Sequence, residues 1–151
     1  MRWQDNKAID YHGVYALVID RGCLLTLRKK RGPYVGMLDL PGGGIEKDES
    51  EVEALERELK EETGLVMTGY HYLGEQLHTV FFEGGLFRHE AKLYRVKTEV
   101  FDREDLHATD PEEASEWVWL PIEEAQTKEV LTFITKAGLA YAQAEQLLRR
   151  K

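Results

Sequence analysis

The apolar residues of this chain fall into blocks of two kinds. Some are short β-branched runs closed by turn residues, and in others apolar positions recur every three or four places. Val14 to Ile19 is a run of the first kind, ended by Asp20-Arg21-Gly22, and Cys23 to Leu27 follows as a second strand, so a hairpin is predicted to turn at Arg21-Gly22. From Arg28 to Gly36 the chain is basic and broken by Gly32, Pro33 and Gly36, which predicts a loop. Leu38-Asp39-Leu40 reads as a short extended piece, and Pro41-Gly42-Gly43-Gly44 as a stop to regular structure.

Between Ser50 and Thr63, Val52, Leu55 and Leu59 share one side of a predicted α-helix. Ser50 is placed as N-cap with Glu53 completing a capping box, and Gly64 suits the left-handed residue that ends a helix. Tyr70 to Phe82 and Leu86 to Val96 are aromatic and β-branched and flank Glu83-Gly84-Gly85, a hairpin signal. In the second strand Phe87, His89, Ala91 and Leu93 share one face and Arg88, Glu90, Lys92 and Tyr94 the other, and one face is expected to be core. Phe101 to Glu116 is acidic, contains Pro111 and predicts a loop before a strand at Trp117 to Leu120, after which Pro121 is expected to open a helical turn. From Glu129 onward Val130, Phe133, Ile134, Ala137, Tyr141, Leu147 and Leu148 fall at helical intervals. Strands with one inserted and one closing helix imply an α/β fold, an α/β/α sandwich around a central mixed β-sheet.

Composition narrows the function classes. The 151 residues suit one domain, 1–151, able to bury its own core. With 28 acids against 20 bases the formal charge is -8, which disfavours nucleic acid polymers while leaving open a polyanionic small molecule wherever cations reverse the local potential. The single cysteine, Cys23, allows no internal disulfide and no zinc pattern and points to a reducing compartment. The polar amino end leads into no long apolar run, so a cytoplasmic protein without membrane association is expected.

The chemistry concentrates between Gly43 and Leu65. Glu58, Glu61 and Glu62 stand at i, i+3 and i+4, putting three carboxylates on one side of one helix, where each like-charged pair costs about 0.2–0.5 kcal/mol unless a cation or solvent compensates. Three glutamates on an arbitrary helix are ordinarily a solvated face. Here Gly42-Gly43-Gly44 precede the helix, letting the backbone approach a phosphate or metal closely, and Arg57 can orient a carboxylate of Glu49 or Glu61. Hard oxygen ligands on a rigid element suit Mg²⁺ or Mn²⁺.

Gly43, Glu49, Arg57, Glu58, Leu59, Glu61, Glu62, Gly64 and Leu65 together resemble a complete Nudix box, in which a glycine, a glutamate, Arg-Glu-aliphatic, Glu-Glu and Gly-aliphatic recur at fixed spacing. The resemblance implies hydrolysis of a diphosphate linkage in a nucleoside diphosphate derivative, with Mg²⁺ as cofactor and Mn²⁺ as a substitute. It implies Glu58 and Glu62 as direct metal ligands, Glu61 as a further ligand or a base acting through water, and a Gly42 carbonyl contribution. Glu49 and Arg57 would brace loop and helix. A glutamate from a later loop would complete the site, with Glu112, Glu113 and Glu116 as candidates and Glu113 favoured.

Substrate handles are sought among local cations: Arg28, Lys29, Lys30 and Arg31 as a phosphate clamp, with Tyr34 and Phe81, Phe82 or Phe87 able to stack on a base. A basic loop is often merely solvated, and core packing is the commoner use of such aromatics. The five histidines form no local ligand pattern. The ADP-ribose branch of the family carries a proline after the box, whereas this chain has none between Gly64 and Pro111. Leu24 to Arg28 matches the start of the coenzyme A signature, but Gly32 stands where its second arginine belongs. Elimination leaves a (deoxy)nucleoside triphosphate or related nucleotide, the substrate of a sanitation-type pyrophosphohydrolase. The alternatives are a non-catalytic nucleotide-sensing module, a hydrolase of ADP-ribose, coenzyme A or a nucleotide sugar, and a related isomerase acting on an isoprenoid diphosphate through Cys23, whose thiol reads rather as buried packing. A homodimer is compatible with all of these.

Overall fold

The computed structural model describes residues 8–109, 116–123 and 127–149. Strand β1 (Ala8–Leu17) runs parallel to β7 (Gly85–Thr98) over its whole length, from Ala8 opposite Leu86 to Leu17 opposite Arg95. This pairing explains why β1 starts well before its apolar run: the polar first half is held by backbone bonds rather than by burial. The chain leaves this sheet at Val18, and β2 (Ile19–Asp20) turns into β3 (Cys23–Arg28) through Arg21 and Gly22 at φ 47° and 73°. Two successive left-handed residues match the strand twist of a tight hairpin. After the loop come β4 (Leu38–Asp39), β5 (Gly42–Gly44) and α1 (Glu51–Thr63), then β6 (Met67–Phe82), β7, a 3-10 turn at Arg103–Asp105, β8 (Trp117–Pro121) and α2 (Phe133–Arg149).

The larger sheet has the order β5-β1-β7-β6 and is mixed, with β5 and β6 antiparallel to their neighbours. The second is centred on β3, which pairs antiparallel with β2, β4 and β8. Alternation along β1 sends its side chains to two cores. Val14 and Ala16 pack with Ala54, Leu55 and Leu59 of α1, while Tyr15 and Leu17 pack with Ile134 and Ala142 of α2. The helices therefore cover opposite faces, giving the α/β/α sandwich.

Four sequence expectations change. The triple glycine does not stop regular structure: Gly42, Gly43 and Gly44 pair with Tyr15, Val14 and Gly13 as the edge strand β5. Strand β7 is buried on both faces at its far end, Ala91 and Leu93 toward α2 and Tyr94 and Val96 toward α1. Pro121 closes β8 opposite Cys23 instead of opening a helical turn, since a strand's last residue can lack a donor. Helix α2 starts at Phe133 and not near Glu129, because the backbone of 130–132 bonds to Leu38 on both sides: Leu38 N donates to Val130 O at 2.9 Å and Thr132 N to Leu38 O at 3.0 Å.

Candidate active site

Two elements build the site. Helix α1 is fixed at both ends, by the Ser50 and Glu53 capping box and by Gly64 in the left-handed conformation, and Leu55 and Leu59 are fully buried beneath it. Each such leucine contributes about 1.5–3 kcal/mol by burial, so the helix is a rigid base for the polar side chains on its other flank. Opposite lies β5, whose first residue must be glycine: Gly42 has φ 151°, and a Cβ there would stand 2.1 Å from the Val14 carbonyl oxygen. Gly42 N donates to Glu62 Oε1 at 2.7 Å, and a Cβ on Gly43 would come within 2.8 Å of Glu58 Oε1. The carboxylates of Glu58 and Glu62 thus reach consecutive residues of β5.

Arg57 organises the rest. Its Nε and Nη2 donate to Glu49 at 2.7 and 2.9 Å, Nη2 also to the Gly44 carbonyl at 3.0 Å, and Nη1 to Glu58 Oε1 at 2.9 Å and Glu61 Oε2 at 3.4 Å. One guanidinium therefore ties helix, strand and the intervening loop together. The Arg57 fork, with the Glu46 N–H, holds the Glu49 carboxyl down at about 2. Burial moves the other two carboxyls upward. Desolvation raises Glu58 against the pull of Arg57, and it raises Glu62 well above the usual carboxylate range, with the negative Glu58 as the next cause.

The glutamates open on a cleft of about 640 Å³. Lys29, Lys30, Arg31 and Tyr34 come from the loop after β3, Tyr11, Phe87 and His89 from β1 and β7, and Ala108 and Thr109 from the segment after the 3-10 turn. That last segment is anchored to α1 through His107 N to Thr63 O and Thr109 N to Glu61 O, at 3.0 and 2.7 Å. Asp39 forms part of the wall as a buried carboxyl accepting from Thr132 Oγ1 and Leu40 N, its pKa raised by burial. His89 bridges two tyrosine hydroxyls, Tyr15 at Nε2 and Tyr34 at Nδ1, 2.8 and 3.1 Å away.

The NUDIX domain profile matches residues 12–137. The chain belongs to the Nudix family. An ADP-ribose pyrophosphatase of Methanocaldococcus jannaschii is 46% identical over 43 residues, 28% of this chain and 25% of that protein, so the match spans only a quarter of the curated relative. Among solved structures, a MutT NUDIX hydrolase from Burkholderia pseudomallei superposes with a TM-score of 0.69 at 22% identity, covering 87% of this chain and 96% of that one. The MutT protein from Methanosarcina mazei Go1 gives 0.69 at 24% identity, covering 93% and 97%. These structures share the Nudix fold, mixed sheet and two helices included.

Within this Nudix chain the structure brings Glu49, Arg57, Glu58, Glu61, Glu62 and Gly42 to one place. Glu61 stands at the cleft edge with its side chain half exposed. Among the described residues no three carboxylate, histidine or cysteine side chains close on a single point. Lys30, Arg31 and Tyr34 line the cleft, whereas Arg28 is turned to Glu116, at 2.7 Å, and to Glu129. Of the box-completing candidates, Glu116 is occupied by that pair, and Glu112 and Glu113 lie outside the described residues. Phe87 reaches the cleft, while Phe81 is exposed on the hairpin. Sequence reasoning passed over Asp39 and His89; for His89 the signal in the sequence was its place on one face of β7 with Phe87, Ala91 and Leu93. No helix among the described residues is long and apolar enough to cross a membrane.

Proposed function

We propose that this chain hydrolyses a diphosphate linkage in a nucleoside diphosphate derivative with a divalent cation, Mg²⁺ or in its place Mn²⁺. The carrying observation is the pair Glu58 and Glu62: two carboxylates set on consecutive glycines of β5, both raised by burial, with Glu58 raising Glu62 further. Such a pair fits a hard dication in its chemistry, with oxygen donors and negative charge that Arg57 offsets only in part, at Glu58. Glu58 and Glu62 would hold the ion, with Glu61 and the Gly42 carbonyl as further donors. Bound there, the cation supplies charge neutralisation for the diphosphate and a more acidic water.

The remaining roles belong to the chain itself. Arg57 and Glu49 lock loop to helix so that the carboxylates keep their positions. Glu61, half exposed at the cleft edge, would serve either as a further metal ligand or as a base acting through water. Lys30 and Arg31 supply positive potential for the outer phosphates despite the acidic surface, and Tyr34 lies further along as a substrate contact. Glu113, from the later loop, remains the preferred additional carboxylate.

Within this class we favour a (deoxy)nucleoside triphosphate or related nucleotide, supported by the absence of proline between Gly64 and Pro111. The short match to an ADP-ribose pyrophosphatase favours ADP-ribose as a second reading. Incubation with nucleoside triphosphates, ADP-ribose, coenzyme A and nucleotide sugars, with and without Mg²⁺, separates them by chromatography of the products. Mg²⁺-dependent cleavage of triphosphates is expected, and no cleavage of any of these would overturn the proposal.

A further inference from the structure

Tyr15, His89 and Tyr34 form a chain of hydrogen bonds whose direction can be deduced. A neutral imidazole has one N–H and one bare nitrogen, so one tyrosine must donate to the ring and the other must accept from it. Tyr15 is 3% exposed, and among the described residues its hydroxyl bonds only to His89. The Tyr15 oxygen also lies against β1 itself, 2.7 Å from where a Cβ of Gly13 would stand. If it accepted from Nε2, its own hydrogen would be buried without a partner, a state that folded proteins avoid. Tyr15 therefore donates to Nε2, the ring proton sits on Nδ1, and Nδ1 donates to the Tyr34 oxygen. Both tyrosines line the cleft and both are buried, Tyr34 at 6% exposure, but it is the Tyr15 oxygen that lies against the β1 backbone at Gly13, so the hydrogen left for the cleft is that of Tyr34. Burial lowers the His89 pKa to about 4, so the ring stays neutral and the chain keeps its direction through neutral pH.

We infer that Tyr15 and His89 act as positioning residues that make the Tyr34 hydroxyl a donor into the cleft, and that this donor selects ring ligands bearing an exocyclic oxygen over those bearing an amino group. The surroundings favour a ring. Phe87, which lines the cleft, and Phe133 lie with centroids 6.5 and 5.9 Å from that of Tyr34, so the hydroxyl is carried on an aromatic cluster against which a ring can pack. An amino group would meet this hydroxyl donor to donor, whereas a keto oxygen accepts from it. The selectivity deepens the nucleotide reading above and rests on it, whereas the tautomer stands without it.

The test has two arms. In ¹⁵N-labelled protein without added nucleotide, the His89 ring, assigned by its loss in His89→Gln, is expected to show a protonated Nδ1 and a bare Nε2, with Tyr15→Phe abolishing that preference. A protonated Nε2 in the wild type overturns the inference, and this spectrum decides even if Tyr15→Phe fails to fold. The second arm titrates inosine against adenosine and uridine against cytidine, nucleosides that need no metal. The keto member is expected to bind several-fold more tightly to the wild type and no better than the amino member to Tyr34→Phe. No keto preference in the wild type, or one unchanged in Tyr34→Phe, overturns the selectivity. Keto preference without Mg²⁺-dependent hydrolysis would remove the proposed activity alone.

Discussion

Arg57 grips Glu49 along one edge of its guanidinium, Nε to Oε2 at 2.7 Å and Nη2 to Oε1 at 2.9 Å, and still has Nη1 left for Glu58. A lysine can keep the charge but cannot make this fork, because an ammonium is a point donor on a flexible stem. Arg57→Lys is therefore expected to fold and to lose about tenfold to a hundredfold in kcat, the usual effect of a residue that orients metal-binding carboxylates. Steady-state kinetics beside circular dichroism checks this. Full activity in Arg57→Lys would mean that the fork holds nothing the reaction needs.

Glu62→Gln should separate activity from fold. The amide oxygen of glutamine can still accept from Gly42 N, now 2.7 Å from Glu62 Oε1, and the substitution removes a carboxyl that burial and Glu58 already push toward its protonated form. The metal-free variant is expected to melt no lower than the metal-free wild type. Turnover should fall about a hundredfold or more, since a direct ligand is lost. Mg²⁺ should raise the melting temperature of the wild type and leave that of Glu62→Gln unmoved. Chelation of the wild type with EDTA should abolish activity, and readdition of Mg²⁺ should restore it.

The legibility of this fold followed how local its causes are. Ser50, Glu53 and Gly64 act within one helix, and both ends of α1 were readable from them. So was the carboxylate cluster, because i, i+3 and i+4 need no tertiary knowledge. Strand β5 was hidden for the opposite reason: glycines read as a stop, and only pairing with Val14 and Tyr15 makes them a strand. The late start of α2 has the same origin, as Leu38 takes the backbone of 130–132 from a helix that local periodicity would begin earlier. His89 and Tyr15 are 74 positions apart and meet through the parallel pairing of β1 with β7, a relationship that no local spacing announces. Arg28 looked equivalent to Lys30 and Arg31 in the sequence, yet it is the last residue of β3 and is directed to Glu116 and Glu129.

His89 also predicts a pH dependence of stability. Its folded pKa of about 4 lies below the ordinary value of 6.5, because burial disfavours the charged ring. Between those values the unfolded chain binds a proton that the folded chain refuses, so the contribution of His89 to stability is fully present above pH 6.5 and is lost as the pH drops toward 4. The size of that loss is on the order of 3 kcal/mol. Denaturant unfolding of wild type and His89→Gln from pH 7.5 to 4 should show the difference in slope. Glutamine does not titrate, so parallel curves would mean that His89 is not held neutral.

Gly42 and Gly43 are adjacent, yet alanine should fail at them in different ways. At Gly42 the new Cβ would stand 2.1 Å from the Val14 carbonyl oxygen, on backbone with φ 151° that a side chain tolerates poorly. Neither partner can yield without breaking the pairing of β5 with β1, so Gly42→Ala is expected to lose about 3 kcal/mol or more, read from urea unfolding. At Gly43 the obstacle is the end of the Glu58 side chain, whose Oε1 would lie 2.8 Å from the added carbon, and a side-chain terminus can rotate away. Gly43→Ala should therefore keep most of its stability and lose turnover, because the movement displaces Glu58 from the cleft. A Gly43→Ala variant as active as the wild type would show that Glu58 need not occupy the position over β5 on which the metal assignment depends.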